Sequence, residues 1–429
     1  MIKKTINKFK SSNIGKNFIV LLFGSGVGSV VGILNLSIIL NAIGAENNGI
    51  IIMIQTYVAL FSGIFSFKSF EAIIKYLSVT IQNDNFIQTK KYIKFSFILD
   101  ILSAIVAIIF AYIFLDLGFK IMGWSDNLRP FVQVYIISLL FNITGTSIGI
   151  VRIYNKFNLM VKMGIYILIF KFNIYIIGFF LGYGFNYFFI AEFILTILNN
   201  LCIVGLSLFI LYKNNLLDFY KTKIRFDKEY FMFNLYSSIY TTIDIPVQQI
   251  TTFVINKYLG FSEVAVYNIF GRIAGLILKI ESPLSQIVYP EMNMRIAKGD
   301  KKSAINLYKK LFKIISSIGI GIVIILIGSY NYWMPLFIKD YQFYVVPLII
   351  YLIYVVYTST SRSIHDLFIS LGYIKYNVMI LLVINLIYIA ILYGFVMKFG
   401  LNGVIISLFI QALLVIEVKK FILKKDLHI

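Results

Sequence analysis

Residues 95 to 115, FSFILDILSAIVAIIFAYIFL, form one of the apolar runs that decide the fold of this chain. A helix needs about 20 mostly apolar residues to cross roughly 30 Å of hydrocarbon, and this run meets that requirement. Similar runs recur along the chain, separated by short polar breaks. We predict twelve spans, near 17 to 42, 49 to 70, 95 to 115, 131 to 151, 163 to 183, 187 to 211, 229 to 256, 262 to 288, 312 to 332, 344 to 364, 376 to 397 and 402 to 420.

The composition of the 429 residues also indicates a membrane protein. The chain is 59% hydrophobic and 14% charged, whereas soluble domains are about one quarter charged. The N-terminal segment MIKKTINKFKSSNIGK is basic and leads directly into the first span, so we expect no cleavable signal peptide. The sequence therefore predicts an all-α integral membrane protein with about 12 transmembrane helices in two six-helix bundles.

The basic residues indicate how the chain is oriented. With the N-terminus in the cytoplasm, 30 of the 39 Lys and Arg residues fall in inside segments and five fall in outside loops. Such a bias follows the positive-inside rule and places both termini in the cytoplasm. The net charge of +20 is explained by this distribution, so nucleic acid is not an expected partner. The five outside residues are Lys120, Arg129, Lys257, Lys339 and Lys398.

Residues suited to catalysis are scarce. The chain has one cysteine, Cys202, and two histidines, His365 and His428. Zinc-binding spacings, glycine-rich nucleotide loops and nucleophile elbows are absent from the sequence. An enzyme is therefore the weaker class, and we expect neither a cofactor nor a metal.

The two halves of the chain show an internal repeat with an offset of about 216 residues. Gly44 in NAIGAENNG aligns with Gly260 in KYLGFSEVA, and Gly184 aligns with Gly400. The segment YNKFNLM at 154 to 160 resembles YIKYNVM at 373 to 379, with a three-residue slip. Six spans per half imply a pseudo-two-fold axis along the membrane normal. We predict an N-terminal bundle at 1–212, a cytoplasmic linker at 213–228, and a C-terminal bundle with a cytoplasmic tail at 229–429.

The first span of each half carries a stripe of polar or small residues. Polar side chains that face lipid are costly, so the stripe predicts either a watery cavity or close packing of helices. In span seven the stripe is Ser237, Thr241, Asp244, Gln248 and Thr251, and in span one it is Ser25, Gly28, Gly32 and Asn35.

Four ionisable residues within spans are candidates for a binding role. Asp244 and Arg272 are predicted at similar depths, which allows a buried ion pair or a shared cavity. Lys171 lies midway along span five, without a partner evident in the sequence, and Lys279 lies nearer the cytoplasmic face. Buried charges usually mark a pathway or an ion pair, and the sequence leaves both readings open.

Residues 267 to 304, YNIFGRIAGLILKIESPLSQIVYPEMNMRIAKGDKKSA, resemble a known family. The Tyr-Asn start, the following arginine, the two spaced prolines and the basic Gly-Asp loop are similar to those of polysaccharide-transport members of the multidrug/oligosaccharidyl-lipid/polysaccharide exporter superfamily. The segment LNAIGAENNGIIIMIQTYVALF also resembles that family's first hairpin.

The resemblance implies a flippase for undecaprenyl-diphosphate-linked oligosaccharide repeat units of O-antigen or capsule in the bacterial inner membrane. It further implies membrane lipid, a glycan polymerase and chain-length proteins as partners. In this reading Arg272 and Lys171 bind the diphosphate, while Asp244 and Gln248 face the glycan. The remaining candidates for the cavity lining are Thr241, Ser237, Ser25, Asn35 and Lys279.

Two other functions stay open. The first is a multidrug or cation antiporter of the same superfamily, in which Asp244 would bind a cation or a proton. The excess of interior Lys and Arg over acids argues against cationic drugs. The second is a polytopic glycan polymerase or acyltransferase, which would need a large loop with acids, Arg or His, and the sequence contains no such loop.

Overall fold

The apolar runs fold as α-helices, because backbone N–H and C=O groups in hydrocarbon must be hydrogen-bonded within their own segment. The computed structural model describes residues 13–67, 69–223, 226–242, 245–297 and 300–427. Within these ranges the structure describes the backbone but not the side chains of 13–25, 27, 239–241, 245, 246, 248, 279–291, 293, 294, 297, 301, 374, 426 and 427.

Fifteen α-helices and five short 3-10 segments make up the described chain. The α-helices are α1 Asn13–Phe65, α2 Ser69–Gln82, α3 Phe86–Ile113, α4 Leu115–Met122, α5 Arg129–Ile136, α6 Gly145–Ile153, α7 Phe157–Phe180, α8 Phe185–Lys213, α9 Lys228–Thr242, α10 Ile245–Leu259, α11 Phe261–Ala297, α12 Lys301–Gly328, α13 Tyr330–Trp333, α14 Val345–Ser370 and α15 Ile374–Leu427. The 3-10 segments are Asp126–Leu128, Ile137–Phe141, Leu217–Lys221, Met334–Leu336 and Tyr341–Tyr344.

Nine helical stretches of the described residues are long and apolar enough to span a membrane. Three features account for the difference from twelve predicted spans. Spans one and two are continuous in α1 with a break at Gly44, and spans eleven and twelve are continuous in α15 with a break at Gly400. The described residues of span seven form α9 and α10, each of 15 residues, and 243–244 between them are not among the described residues. All twelve predicted spans therefore correspond to helical segments.

The turn glycines support the internal repeat at one of its two anchors. Gly44 has φ 78° and Gly260 has φ 94°, a left-handed backbone that glycine adopts without the steric cost other residues pay. At the second anchor the backbones differ, because Gly184 has φ −91° whereas Gly400 has φ 56°. Equivalent positions in sequence therefore share a positive φ only in the first case.

Helix ends give a second indication of the repeat. The Asn85 side chain caps α3 by accepting a hydrogen bond from the Gln88 N–H at 3.1 Å, and Asp300 caps α12 by accepting from Ser303 N–H at 3.0 Å. The turn after α6 has Asn155 at φ 53°, and the turn after α14 has Gly372 at φ 90°. These two turn residues are 217 positions apart. The sequence alignment of the same region gave an offset of 219, so the structure places the two turns in register two residues from that alignment.

The two corresponding apolar cores also match. One core contains Ile73, Ile93 and Val151, and the other contains Met292, Leu311 and Phe368. The paired positions are separated by 217 to 219 residues. The same kinds of helices therefore build both cores, and inside a membrane these apolar side chains stabilise the bundle mainly through van der Waals packing.

Packing divides the chain into two compact units at boundaries that differ from the predicted halves. Unit 1 comprises 1–49 with 254–429, and unit 2 comprises 50–253. The segment of span one thus belongs with the later helices, and most of span seven belongs with the earlier ones. Tyr230 of α9 shows why: it is fully buried in a cluster with Ala72, Phe95 and Leu99 of unit 2. The order of helices along a chain does not determine which helices share a core.

The predicted linker 213–228 is attached to α3 of unit 2. Lys90 Nζ lies 2.7 Å from a carboxylate oxygen of Asp218. Lys94 Nζ donates to the carbonyl oxygens of Tyr220 at 2.6 Å and Thr222 at 2.9 Å. The linker is therefore docked against the bundle by cationic side chains.

Candidate functional site

Arg272 is the interior cation that stands out in unit 1. It lies 11 residues after the start of α11, or about 16 Å along the helix, near the middle of a bilayer about 30 Å thick. Its side chain is exposed, and its Nε donates to Asn268 Oδ1 at 3.0 Å within the same helix. Exposure of a charge to lipid at this depth is expensive, so the position favours an aqueous cavity.

The opposite face of α11 explains why Arg272 is left exposed. Tyr267 and Phe270 contact the Tyr351 ring of α14, with ring centroids 5.7 and 6.0 Å apart. A Cβ at Gly271 would lie 3.6 Å from the Tyr351 hydroxyl, so this face is closely packed. Because neighbouring residues in a helix are about 100° apart around its axis, Arg272 points away from the centre of this contact.

Gly32 of α1 lies beside the Arg272 guanidinium. A Cβ built at Gly32 would be 3.8 Å from Arg272 Nη1. Asn35 lies one turn later on α1 and is buried, with 3% of its surface exposed. The glycine and the asparagine of the predicted span-one stripe thus lie in the same unit as Arg272, and Gly32 leaves space next to its charged group.

Lys171 forms an ion pair, which the sequence did not reveal. Its Nζ lies 2.5 Å from Glu192 Oε1 of α8, with only 18% and 14% of the two side chains exposed. The Tyr175 hydroxyl donates to the same carboxylate oxygen, and Lys171 Nζ lies 5.1 Å from the Tyr175 ring centroid. Glu192 therefore compensates the buried charge and joins α7 to α8.

A chain of hydrogen bonds extends from this ion pair across unit 2. Thr196 donates to the Glu192 carbonyl at 2.8 Å, and the Thr196 and Tyr135 hydroxyls are 2.9 Å apart. Gln55 Nε2 donates to the Tyr135 hydroxyl at 3.2 Å. The network connects α8, α5 and α1, and it satisfies polar groups that would be costly inside a membrane.

Unit 1 has a neutral counterpart of the ion pair. Gln411 Nε2 donates to Asn385 Oδ1 at 3.0 Å, which links the two segments of α15 on either side of Gly400. In the repeat these segments correspond to α7 and α8. Each half thus has a polar link between its last two spans, and the link is charged only in unit 2.

The span-seven stripe is only partly within the described residues. The Ser237 hydroxyl donates to Glu71 of α2, and Thr251 is 1% exposed, with its hydroxyl donating to the Val247 carbonyl at 2.8 Å. Thr251 is therefore buried in packing. Asp244 lies outside the described residues, as do the side chains of Thr241, Gln248, Ser25 and Lys279.

Three acids in unit 2 make contacts that the sequence reasoning did not predict. Glu192 could have been found by comparing depths in the membrane, as was done for Asp244 and Arg272. Lys171 lies nine residues before the end of α7 and Glu192 lies seven residues after the start of α8, so the two are at similar depths. Glu71 could not be found this way, because its contact with Ser237 joins residues 166 positions apart.

The third such acid is Asp100, which lies within a predicted span and is 3% exposed. Its Oδ2 accepts from the Thr146 backbone N–H at 2.7 Å, at the start of α6. A carboxylate there satisfies a free N–H group and interacts favourably with the helix dipole, so Asp100 has a structural role.

The described residues contain no group of three or more His, Cys, Asp or Glu side chains placed to hold a metal ion. In unit 2, Glu192 pairs with Lys171 and Asp100 caps α6, whereas Arg272 of unit 1 is exposed at mid-span. The exposed guanidinium of Arg272 is therefore available to bind a charged solute.

Comparison with known proteins identifies the fold. No protein-family model matches the chain. It is 25% identical to the inner membrane protein YghQ of Escherichia coli (strain K12) over 134 residues, which are 31% of this chain and 38% of YghQ. The matched region therefore spans less than half of that relative.

Solved structures match over nearly the whole chain. A multidrug resistance MATE family transporter of the MOP superfamily, in an inward-facing conformation, matches with a TM-score of 0.70 and 17% identity over 94% of this chain and 96% of its own. A MOP superfamily transporter from Pyrococcus furiosus, whose reversed binding-pocket polarity suggests a different function, matches with a TM-score of 0.64 and 16% identity over 96% of each chain.

The chain is therefore a multi-pass membrane protein with the fold of the MATE transporters, which have twelve transmembrane helices in two bundles. The predicted fold class is confirmed.

Proposed function

We propose that this protein is an alternating-access transporter for an anionic amphiphile, of the class of undecaprenyl-diphosphate-linked oligosaccharides. The observation that carries the proposal is Arg272, an exposed guanidinium at mid-span with its described hydrogen bond confined to its own helix. The MATE fold supports the transport mechanism, since its solved members are transporters. The choice of an anionic substrate depends on the residues of this chain.

The chemistry of Arg272 suits a diphosphate. A guanidinium presents a planar set of N–H donors that can bind two phosphate oxygens at once. The bond from Nε to Asn268 orients the group, and Gly32 leaves space beside Nη1. In the proposed cycle Arg272 binds the diphosphate, the glycan lies in the cavity, and the lipid tail stays in the bilayer.

Lys171 has a smaller part in this proposal than the sequence suggested. Its ammonium is already neutralised by Glu192, so binding a phosphate would require breaking a buried ion pair. We therefore assign the diphosphate to Arg272. Contacts of the glycan with Asp244 and Gln248, and association with a glycan polymerase and chain-length proteins, remain part of the proposal.

The second candidate is a multidrug or cation antiporter, and the solved neighbours favour it. The MATE structure reported above is a multidrug resistance transporter with the same fold. A cationic substrate needs an accessible acid, and Asp244 is the candidate from sequence. The acids described above within the spans of unit 2 are already engaged, since Glu192 pairs with Lys171 and Asp100 caps α6. The residues thus favour the anionic substrate, while the multidrug resistance transporter among the solved structures favours the second candidate.

The two candidates are separated by expressing the full chain in a bacterium that lacks its own O-antigen or capsule flippase. We expect restored surface glycan, loss of that activity in Arg272→Ala, partial recovery in Arg272→Lys, and unchanged sensitivity to cationic drugs. Arg362→Ala is the control, since Arg362 is also an exposed arginine of unit 1. If Arg272→Ala gave the same amounts of surface glycan and of protein as the wild type, Arg272 would not be the residue that binds the diphosphate. Drug export without glycan restoration would establish the second candidate instead.

A further inference from the structure

A groove runs between α7 and α8 on the surface of unit 2, with a volume of about 590 Å³. Its walls include Lys162, Tyr166 and Phe170 of α7, and Cys202, Gly205 and Phe209 of α8. Lys162 is its one charged lining residue, and the other walls are largely apolar. The volume lies within the range of about 300 to 1,000 Å³ that is typical of small-molecule sites.

The groove occupies one half of the membrane thickness. On α7 its lining extends from Leu159 to Phe170, and on α8 from Leu198 to Phe209, in both cases near the helix end predicted to be cytoplasmic. Eleven residue steps correspond to about 16 Å, roughly half of a hydrocarbon core of about 30 Å. This length matches one lipid leaflet.

Two lysines lie at the same end of the groove. Lys162 lies five residues after the start of α7 and is exposed. Lys213 is the last residue of α8, and its Nζ lies 4.6 Å from the ring centroid of Phe209, a lining residue. Ammonium groups at the headgroup level attract anionic lipid, whereas an apolar groove facing hydrocarbon accepts an acyl chain.

We propose that this groove is a binding site for an anionic glycerophospholipid of the inner leaflet, with one acyl chain between α7 and α8 and the phosphate beside Lys162 and Lys213. The α8 side of the groove leaves room for an acyl chain because Gly205 and Cys202 have small side chains, and a Cβ at Gly205 would contact nothing within 4 Å. The site is formed by residues of unit 2 alone, and it does not depend on which substrate is transported.

The proposal is tested by native mass spectrometry of the full-length protein in detergent, titrated with dioleoyl phosphatidylglycerol or dioleoyl phosphatidylcholine. We expect preferential retention of one phosphatidylglycerol. The double variant Lys162→Gln/Lys213→Gln should lower its affinity by about tenfold or more, since each basic residue near an anionic lipid contributes about fivefold. Lys156→Gln is the matched control, because Lys156 is exposed before α7 but does not line the groove.

A second pair of variants tests the apolar part. Gly205→Phe should fill the groove and reduce retention of the lipid, while Gly164→Phe on α7 should not. Gly164 also has open space around it, since a Cβ there would meet no atom within 4 Å, but it is not part of the lining. A photoreactive group in the acyl chain should label peptides within 159 to 170 and 198 to 209.

Equal retention of the two lipids would overturn the proposal, as would equal effects of the two glycine variants or labelling in another part of the chain. Displacement of phosphatidylglycerol by a polyprenyl phosphate at a much lower concentration would also overturn it, since the occupant would then be a different lipid. None of these results bears on the assignment of Arg272, which the glycan assay tests separately.

Discussion

Gly32 and Arg272 show how one missing side chain can define a binding position. The 3.8 Å between a Cβ at Gly32 and Arg272 Nη1 is ordinary contact, so alanine would fit, but the two methyl groups of valine would occupy the space that a ligand needs. Neither residue would attract attention as part of a pair in the sequence, because 240 positions separate them.

We therefore expect Gly32→Val to reduce transport strongly while protein yield and helicity stay close to wild type. Gly26→Val on the same helix is the control, since Gly26 has no neighbouring atom within 4 Å. The measurement is surface glycan in the flippase-deficient strain, or drug export if the second candidate is correct. Equal activity of the two variants would show that the space beside Arg272 is not used.

At the scale of elements, the ion pair between α7 and α8 allows binding and packing roles to be distinguished. Removing one partner of a buried pair leaves the other charge uncompensated, which typically costs about 3 to 5 kcal/mol, whereas replacing both with apolar residues is often close to neutral. Lys171 and Glu192 meet the condition for this comparison, because both side chains are largely buried.

Lys171→Met should accordingly lower the melting temperature of the purified protein, and Lys171→Met/Glu192→Met should restore most of the loss. The exposed Lys156→Met serves as the control for removal of a lysine from the same region. If the double variant is stable and transports normally, Lys171 is structural. A stable double variant without transport would instead support the phosphate-binding role predicted from sequence.

The docked linker provides a second prediction at this scale. Lys94 donates hydrogen bonds to the carbonyls of Tyr220 and Thr222, so Lys94→Ala should release the linker from α3. Tryptic cleavage near Lys221 should then become about tenfold faster, as expected for loss of about 1.4 kcal/mol of charge-assisted hydrogen bonding. Lys91→Ala, with no contact to the linker among the described bonds, should cleave at the wild-type rate. Unchanged cleavage in Lys94→Ala would mean that other contacts hold the linker.

Lowering the pH should weaken the attachment of the same linker to α3. The hydrogen bond from Lys90 lowers the pKa of Asp218 below its usual value, so the carboxylate stays charged at neutral pH. The pair therefore stabilises the docked linker above the unfolded pKa of about 3.9, and this contribution is lost as the pH falls through the lower folded value. Amide hydrogen exchange of the linker, corrected for the intrinsic rate at each pH, should show this loss in the wild type and not in Asp218→Asn.

At the scale of the whole molecule, the orientation in the membrane is still a prediction from the basic residues. With Cys202 replaced by serine, Lys398→Cys should react with an impermeant maleimide on intact cells, and Lys302→Cys should react only after the cells are opened. Both positions are exposed on the described helices, so access within the protein is comparable. The opposite labelling pattern would invert the topology and move the lipid groove to the outer leaflet.

Local patterns in the sequence were enough to establish the membrane class, the all-α fold and the positions of the helical spans. About 20 consecutive apolar residues are needed to cross the hydrocarbon, and the short loops carry the charge bias, so both signals can be read without knowing any long-range contact. The alignment of Gly44 with Gly260 was also found from sequence, and both residues have the positive φ that glycine adopts at little steric cost.

Which helices pack together and which charges are paired could be learned only from the folded molecule. The fold places the segment of span one with the later helices, buries Tyr230 among the earlier ones, and supplies Glu192 as the partner of Lys171. These outcomes depend on contacts between residues far apart in the chain. Apolar spans of similar composition look alike in sequence, but only particular pairs of them have surfaces that pack closely together. For the same reason, the exposure of Arg272 could be recognised only once the packed face of α11 was known.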